Sequence, residues 1–392
     1  MKLCVKSILD SDLYKFTTSY AYMQKYPDAS GTFQFVDRNH SKISKKEFED
    51  ICEQINLLSK LFLTLPEYEW CVKNIPFIPQ YYWEWLMSFH YDPNKVNIWL
   101  DDKKELHIEV TDKLYKVTLY EVVILAIVSE ILCAKTVDTL YWDTIKSRII
   151  DKLNIAKENN FRFSEFGTRR RFSYQVQDYV MKVIDHYDTT HQCTGTSNVH
   201  FAMKYGFKPM GTHPHEWFMF HGAQFGYKHA NYLALNAWQE VYNGDLGIAL
   251  TDTYTSSVFF RNLTKVHAKL FDGIRHDSGS PEEFTEKAIA RYNELGINPL
   301  TKTIIFSDGL NFMRAAELAK YCEGRILYSF GIGTNLTNDV DGKPCNIVMK
   351  LINCQMNDKQ PDYGCIKLSD VDGKHIGNPM DIANAKYELG LS

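Results

Sequence analysis

A chain of 392 residues, 45% hydrophobic and 23% charged, can bury a large core and suits two domains or one barrel with an attachment. Its formal net charge of -4 gives no reason to expect nucleic acid or an anionic membrane as the main partner. Nine scattered cysteines, none in a Cys-x-x-Cys pair, read as reduced thiols of a cytosolic protein.

The amino-terminal segment, Met1 to Lys6, lacks the apolar stretch of a secretory signal. The longest apolar run, Val122 to Val128, is far too short to span a bilayer. A cytoplasmic protein is expected. Residues 11–25 carry a helical period, with Ser11 or Asp12 placed to cap the helix. Residues 31–37 have a strand's period of two. From 45 to about 135 the pattern is helical and rich in aromatics, interrupted by strand-like 95–100 and 105–110.

Helix and strand alternate regularly only from about Phe161. Strand candidates fall near 161–166, 191–195, 207–212, 246–251, 270–275, 303–307 and 325–330. Helical stretches at 173–186, 224–243, 282–295 and 310–321 lie between them. Repeated strand–helix units imply right-handed parallel crossovers, and seven such strands suit a closed barrel better than an open sheet. Residues 346–353 and 365–368 return to strand character and could complete an amino-terminal sheet. The expected division is an α+β domain at 1–135, completed by 345–392, and an α/β barrel at 136–344.

Abrupt polar bursts follow the apolar runs. They are Glu165–Arg171, Gly211–Trp217, Thr251–Tyr254, Arg275–Gly279, Ser307-Asp308-Gly309 and Gly331–Thr334. In barrels the functional groups sit at the carboxyl ends of the strands, so these bursts read as one site built from many loops. His213 and His215, two apart, could be paired metal ligands, with His267, His276, Asp277 and Asp308 available to complete a hydrolase centre. Pro214 between the histidines, flanked by Thr212 and Glu216, points instead to a loop. Most triple-arginine runs are solvated faces, but Arg169-Arg170-Arg171 follows Phe166-Gly167-Thr168, and an aromatic beside a guanidinium suits a planar anion. The glycine turns at Ser307-Asp308-Gly309 and at Gly331 to Thr334 offer backbone N–H groups that can cradle a phosphate. The residues alone lead to a barrel enzyme acting on a phosphorylated substrate.

The motifs Asp10–Lys15, Glu165–Arg170, Gly211–Trp217, Thr251–Tyr254, Arg275–Gly279 and Lys367–Asp370, in this order, resemble those of the nicotinate phosphoribosyltransferases over nearly the whole chain. The resemblance implies an incomplete TIM-like α/β barrel with a second α+β domain built from both chain ends, and a homodimer with shared active sites. It implies that nicotinate and phosphoribosyl pyrophosphate are joined with Mg²⁺ and with ATP as co-substrate, through a phosphohistidine. By motif, His215 matches the phosphorylated histidine, while His213 departs from the family's small or apolar residue and offers a second nucleophile. Thr212 and Arg275 match positions that hold the nicotinate carboxylate. Phe166 matches the aromatic on one face of the pyridine, and Tyr14 the aromatic on the other, supplied by the partner subunit. Arg169, Asp308 and Thr334 match phosphoribosyl contacts; the turn residues Ser307, Gly309, Gly331 and Gly333 are expected to bind substrate through their backbone N–H groups. Asp252 and Asp277 are expected to serve ribose, Mg²⁺ or the orientation of the histidine.

The related nicotinamide enzymes carry Gly-Thr-Asp where this chain has Gly195-Thr196-Ser197. A carboxylate about 4 Å from that of nicotinate would repel it by roughly 4 kcal/mol at an effective dielectric near 20. Ser197 therefore argues for the acid over the amide. Quinolinate phosphoribosyltransferases fit less well, being shorter and needing no such histidine. A silent regulatory relative is disfavoured by the presence of His215, Arg275 and the glycine turns.

Overall fold

The computed structural model describes residues 3–136, 139–211, 213–371 and 375–391. Near the amino terminus, β1 (Ser30–Asp37), β2 (Val96–Leu100) and β3 (Leu106–Lys113) form an antiparallel sheet. The period of two in β1 turns Gly31, Phe33 and Phe35 inward. A second, parallel sheet holds β4 (Phe163–Glu165), β5 (Cys193–Thr196), β6 (Ile248–Leu250), β7 (Gly273–His276), β8 (Thr303–Phe306) and β9 (Leu327–Ile332). Its order is β5-β4-β9-β8-β7-β6. The chain then returns to the first sheet: β10 (Ile347–Gln355) pairs with β1, and the short β11 (Tyr363–Gly364) pairs with β10.

The expected strand at 207–212 does not form among the described residues. Pro209 makes one parallel bridge to Thr196, so the ladder has six strands rather than seven and stays open between β5 and β6. Proline has no N–H to extend the ladder. Gly195 permits the close approach, since a Cβ there would lie 2.2 Å from the Lys208 carbonyl oxygen.

Helices fall close to their expected places where a cap is present. Ser173, Ser280 and Asn311 each accept a hydrogen bond from the first turn of the Tyr174–Tyr187, Pro281–Glu294 and Phe312–Cys322 helices. Asp12 precedes the Leu13–Lys25 helix but does not cap it with its side chain. The stretch expected at 224–243 is broken by Gly226, whose φ of 86° ends the His215–Phe225 helix before Tyr227–Tyr242 begins. The helical segment 114–134 is apolar enough over 21 residues to cross a bilayer, yet 83% of its most apolar window is buried inside the protein. The run Val122 to Val128 lies wholly within that core.

Candidate active site

At the carboxyl ends of the parallel strands lies a cavity of about 1130 Å³. Its wall includes Phe166 and Arg169 after β4, Ser197 after β5, and His215 at the start of its helix. Arg275 and Asp277 come from the end of β7, Ser307, Asp308 and Gly309 from the turn after β8, and Gly331, Gly333 and Thr334 from β9 and its exit. Tyr14 lines the cavity of its own chain. Asp252 is fully buried beside His215, and Thr212 lies outside the described residues.

His215 is the most elaborately held group. Its Nδ1 lies 2.9 Å from the Thr253 hydroxyl. Its Nε2 lies 2.9 Å from Asp277 Oδ2, 2.8 Å from the Lys367 ammonium and 3.7 Å from Asp252 Oδ1. That nitrogen therefore has a donor ready for the neutral ring and acceptors ready for the charged one. Burial, and then the Lys367 ammonium, hold the imidazole below its ordinary pKa against the opposing pull of Asp252 and Asp277. Burial works to protonate Asp277, but Arg275, His215 and Lys367 overcome it and hold the carboxyl well below the usual range. The two carboxylates are themselves held: Ser307 donates to Asp277 at 2.8 Å, and Ser278 donates to Asp252 at 2.6 Å.

Ligand atoms of His215, Asp252 and Asp277 lie within 4.8 Å of one another. Lys367 already supplies the cation there, 3.5 Å from Asp252 and 2.8 Å from His215. The paired-histidine metal centre does not assemble among the described residues. His213 is fully buried, packs edge-on against Phe218 and Trp238, and is pushed by burial down to about 3. His267 is bound to Asn236 at 2.7 Å, and His276 packs between Phe284 and Phe306. His213 is thus a core residue, placed away from the cavity wall rather than beside His215 as a second nucleophile.

Two of the glycines serve the aromatic wall directly. A Cβ on Gly331 would meet the Phe166 ring at 2.5 Å, and one on Gly333 would meet the Phe166 carbonyl oxygen at 2.7 Å. Phe166 is anchored by its N–H to the Ile332 carbonyl at 2.9 Å. Gly309, by contrast, takes a φ of 58° with open space around it, as a turn offering N–H groups requires.

The triple-arginine run divides. Arg169 and Arg170 face the cavity. Arg171 is fully buried, paired to both oxygens of Asp10 at 2.7 and 3.0 Å. Arg38 and Lys350 join the cavity wall from the antiparallel sheet, and burial, with Arg38 and Lys367 adding, pushes Lys350 down to about 8. A chain of net charge -4 thus concentrates cations where an anionic ligand would lie.

Ser197 proves less simple than its place in the sequence suggests. Its hydroxyl donates to Asp12 Oδ1 at 2.8 Å, so a carboxylate does stand beside it, supplied from a distant segment. Arg169, 4.0 Å away, opposes that charge. Asp12, Glu121, Arg38, Lys350 and Lys367 are cavity residues that sequence reasoning missed. Lys367 sits 152 positions from His215, and no local pattern marks it; its membership of the Lys367–Asp370 motif is the one available signal.

The profile of the nicotinate phosphoribosyltransferase family matches residues 161–389, and that of the family's N-terminal domain matches 9–129. A nicotinate phosphoribosyltransferase of Chromohalobacter salexigens is 43% identical over 389 residues, covering 98% of each chain. One from Methanosarcina acetivorans is 40% identical, again over 98% of each chain. The crystal structure of nicotinate phosphoribosyltransferase from Porphyromonas gingivalis superimposes with a TM-score of 0.96 at 48% identity, covering 98% of this chain and 100% of that one. That from Vibrio cholerae gives 0.92 at 34% identity, covering 100% and 94%. With this agreement over nearly the whole chain, the chain belongs to the nicotinate phosphoribosyltransferase family.

Proposed function

We propose that this protein is a cytoplasmic, ATP-coupled enzyme that joins nicotinate to phosphoribosyl pyrophosphate, giving nicotinate mononucleotide and pyrophosphate at the entry to NAD salvage. The observation that carries this reading is the meeting in one cavity of an aromatic wall (Phe166), a cationic end (Arg275), a glycine turn (Ser307 to Gly309) and a neutral, firmly held histidine (His215).

The chemistry needs no general base. The pyridine nitrogen attacks with its own lone pair, so the protein has to align it with the anomeric carbon and stabilise the oxocarbenium-like transition state. Arg169, Arg170 and Arg38 line the cavity and are the cations available to the departing pyrophosphate. Mg²⁺ carried by the substrate phosphates would be met by Asp277 and Asp308, oxygen donors of the kind it prefers, and supplies charge neutralisation there.

ATP coupling is assigned to His215. A bond forms from neutral Nε2 to the γ-phosphorus, the bridging P–O bond breaks, and ADP departs with that electron pair. Lys367, 2.8 Å from Nε2, is then the cation beside the new phosphoryl group. The high-energy phosphohistidine can be linked to tighter substrate binding. Further elements of the proposal are a homodimer with shared sites and Tyr14 as the second aromatic.

The test is a coupled assay with phosphoribosyl pyrophosphate, Mg²⁺ and ATP, offering nicotinate or nicotinamide in parallel and following mononucleotide and ADP. Nicotinate turnover with ADP release is expected. Turnover of nicotinamide alone would overturn the substrate assignment. Binding of phosphoribosyl pyrophosphate without turnover of either would identify a silent relative.

A further inference from the structure

Glu165 closes β4 immediately before Phe166 and is fully buried without lining the cavity. No cation pairs with it among the described residues; its partners are three neutral groups. The Gly167 N–H donates to Oε1, the Thr196 hydroxyl donates to Oε2 at 2.5 Å, and the Gln177 amide reaches both oxygens at 3.2 Å. The Thr196 oxygen in turn accepts from the Asn198 N–H at 3.1 Å, which fixes its proton toward Glu165. Every partner is thus a donor, and the arrangement suits an ionised carboxylate, which is an acceptor only.

An ionised carboxylate with no cation is costly to bury. Burial pushes Glu165 up to about 7, so the charged form is held against a substantial penalty. A glutamine would avoid burying a charge, at the cost of turning its amide N–H toward one of these donors.

What the carboxylate joins suggests why it is there. On one side is the Phe166-Gly167 turn, whose Gly167 has no room for a Cβ (Thr337 Oγ1 would be 2.2 Å away) and whose ring lies against Gly331. On the other is the end of β5, where Thr196 leads to Ser197, and the Ser197 N–H donates to the Glu165 carbonyl at 2.8 Å. One buried side chain therefore ties together the two strand ends that carry the aromatic wall and the Ser197–Asp12 contact.

We infer that ionised Glu165 is a positioning residue for the pyridine subsite, acting through Gly167 and Thr196 to hold Phe166 and Ser197 in place. This rests on the activity proposed above. The groups that face Glu165 from the surrounding elements are Asp12 of the amino-terminal segment, Cys193 on β5, and Gln177, itself bonded to Arg171 of the buried Arg171–Asp10 pair. Protonation removes an acceptor from the Gly167 N–H or the Thr196 hydroxyl and loosens the wall. Between pH 8 and pH 6 the ionised fraction of a carboxyl titrating near 7 falls about tenfold.

The experiment measures KM and kcat for nicotinate and for phosphoribosyl pyrophosphate from pH 6 to 8, with calorimetric nicotinate binding and Tm, for the wild type and Glu165→Gln. The wild type is expected to lose nicotinate affinity by about fivefold to tenfold on acidification over this range. Glu165→Gln is expected to show that weaker affinity already at pH 8 and to lose the pH dependence. Its kcat and its KM for phosphoribosyl pyrophosphate should stay within about twofold, and its Tm at pH 8 should be equal or higher. Thr196→Val, which removes one donor at nearly constant shape, should raise the nicotinate KM in the same direction and serves if Glu165→Gln does not fold. Unchanged nicotinate affinity and pH dependence in Glu165→Gln would overturn the inference. So would a fall in Tm with both KM values rising together, the mark of a merely structural residue. A wild type that neither binds nor turns over nicotinate would instead sink the activity proposal and take this inference with it.

Discussion

Gly331→Ala is the sharpest test of the aromatic wall. A Cβ at residue 331 would lie 2.5 Å from Phe166 Cδ2 and 2.6 Å from Cε2, where ordinary contact begins near 3.4 Å. The backbone cannot retreat, because Gly331 is in register with Ser164 of β4 on one side of β9, and β8 is paired on the other. The ring must therefore move by about 1 Å, and overpacking of this kind costs on the order of 1–3 kcal/mol. If roughly 1.4 kcal/mol of that is lost from ligand alignment, nicotinate affinity falls about tenfold. Steady-state kinetics should give a nicotinate KM raised about tenfold with a smaller change for phosphoribosyl pyrophosphate, and Tm should drop by a few degrees. Gly309→Ala is the control. Its positive φ and open surroundings mean backbone strain of about 1 kcal/mol, confined to the proposed phosphate turn. That variant should weaken phosphoribosyl pyrophosphate and leave nicotinate nearly unaffected. An unchanged nicotinate KM in Gly331→Ala would refute the assignment of Phe166 as the pyridine wall.

His215→Ala should abolish the acid-labile phosphoenzyme and ADP release, readable by incorporation of label from γ-labelled ATP; retained incorporation would send the phosphoryl group elsewhere. Lys367→Met removes a charge that, after burial, is the main force lowering the His215 pKa. The neutral nucleophile then needs a higher pH, so the acid limb of the ATP-dependent rate should move upward, and an unmoved limb would contradict the geometry. Arg171→Met leaves Asp10 buried and unpaired, which costs about 3–5 kcal/mol and should appear as a large loss of Tm.

The alternating part of the fold was legible because each strand carries its own apolar run and each helix its own cap. Helix starts at Ser173, Ser280 and Asn311 depend on side chains three residues from the groups they bind. The 207–212 segment misled for an equally local reason: the apolar composition of a strand is there, but Pro209 cannot carry the ladder onward. The strand ends announced the site through glycine, aspartate and arginine. What stayed hidden was assembled over long separations. Arg171 reads like Arg169 and Arg170 in sequence, and only its pairing with Asp10, 161 positions away, makes it a core residue. His213 and His215 differ likewise in what packs around them, two aromatic rings for one and a lysine with two carboxylates for the other.

The Ser197–Asp12 contact changes the physical account of why an acid rather than an amide should bind. The hydroxyl proton of Ser197 is committed to Asp12, so toward a ligand this serine offers an acceptor, which by itself would suit an amide. The preference for nicotinate must come from a cation. Arg275 is the candidate: it lines the cavity, and its Nε is buried with no hydrogen-bond partner among the described residues. An unsatisfied buried donor costs about 1–3 kcal/mol, a cost that a bound carboxylate would relieve. At about 4 Å and an effective dielectric near 20, the attraction is worth roughly 4 kcal/mol, the same size as the repulsion from a carboxylate at that distance. Asp12 is opposed by Arg169 at 4.0 Å, and Arg275 faces Asp277 at 3.9 Å through Nη2, so the balance rests on the Arg275 Nε that no described group occupies. Arg275→Gln should therefore raise the nicotinate KM at least a hundredfold and narrow its advantage over nicotinamide, measured as the ratio of kcat/KM values. Ser197→Ala, which leaves the carboxylate and both arginines in place, should change that ratio by less than about tenfold. If the two variants ranked the other way, discrimination would lie in the strand end after β5, and the cation would be merely bystanding.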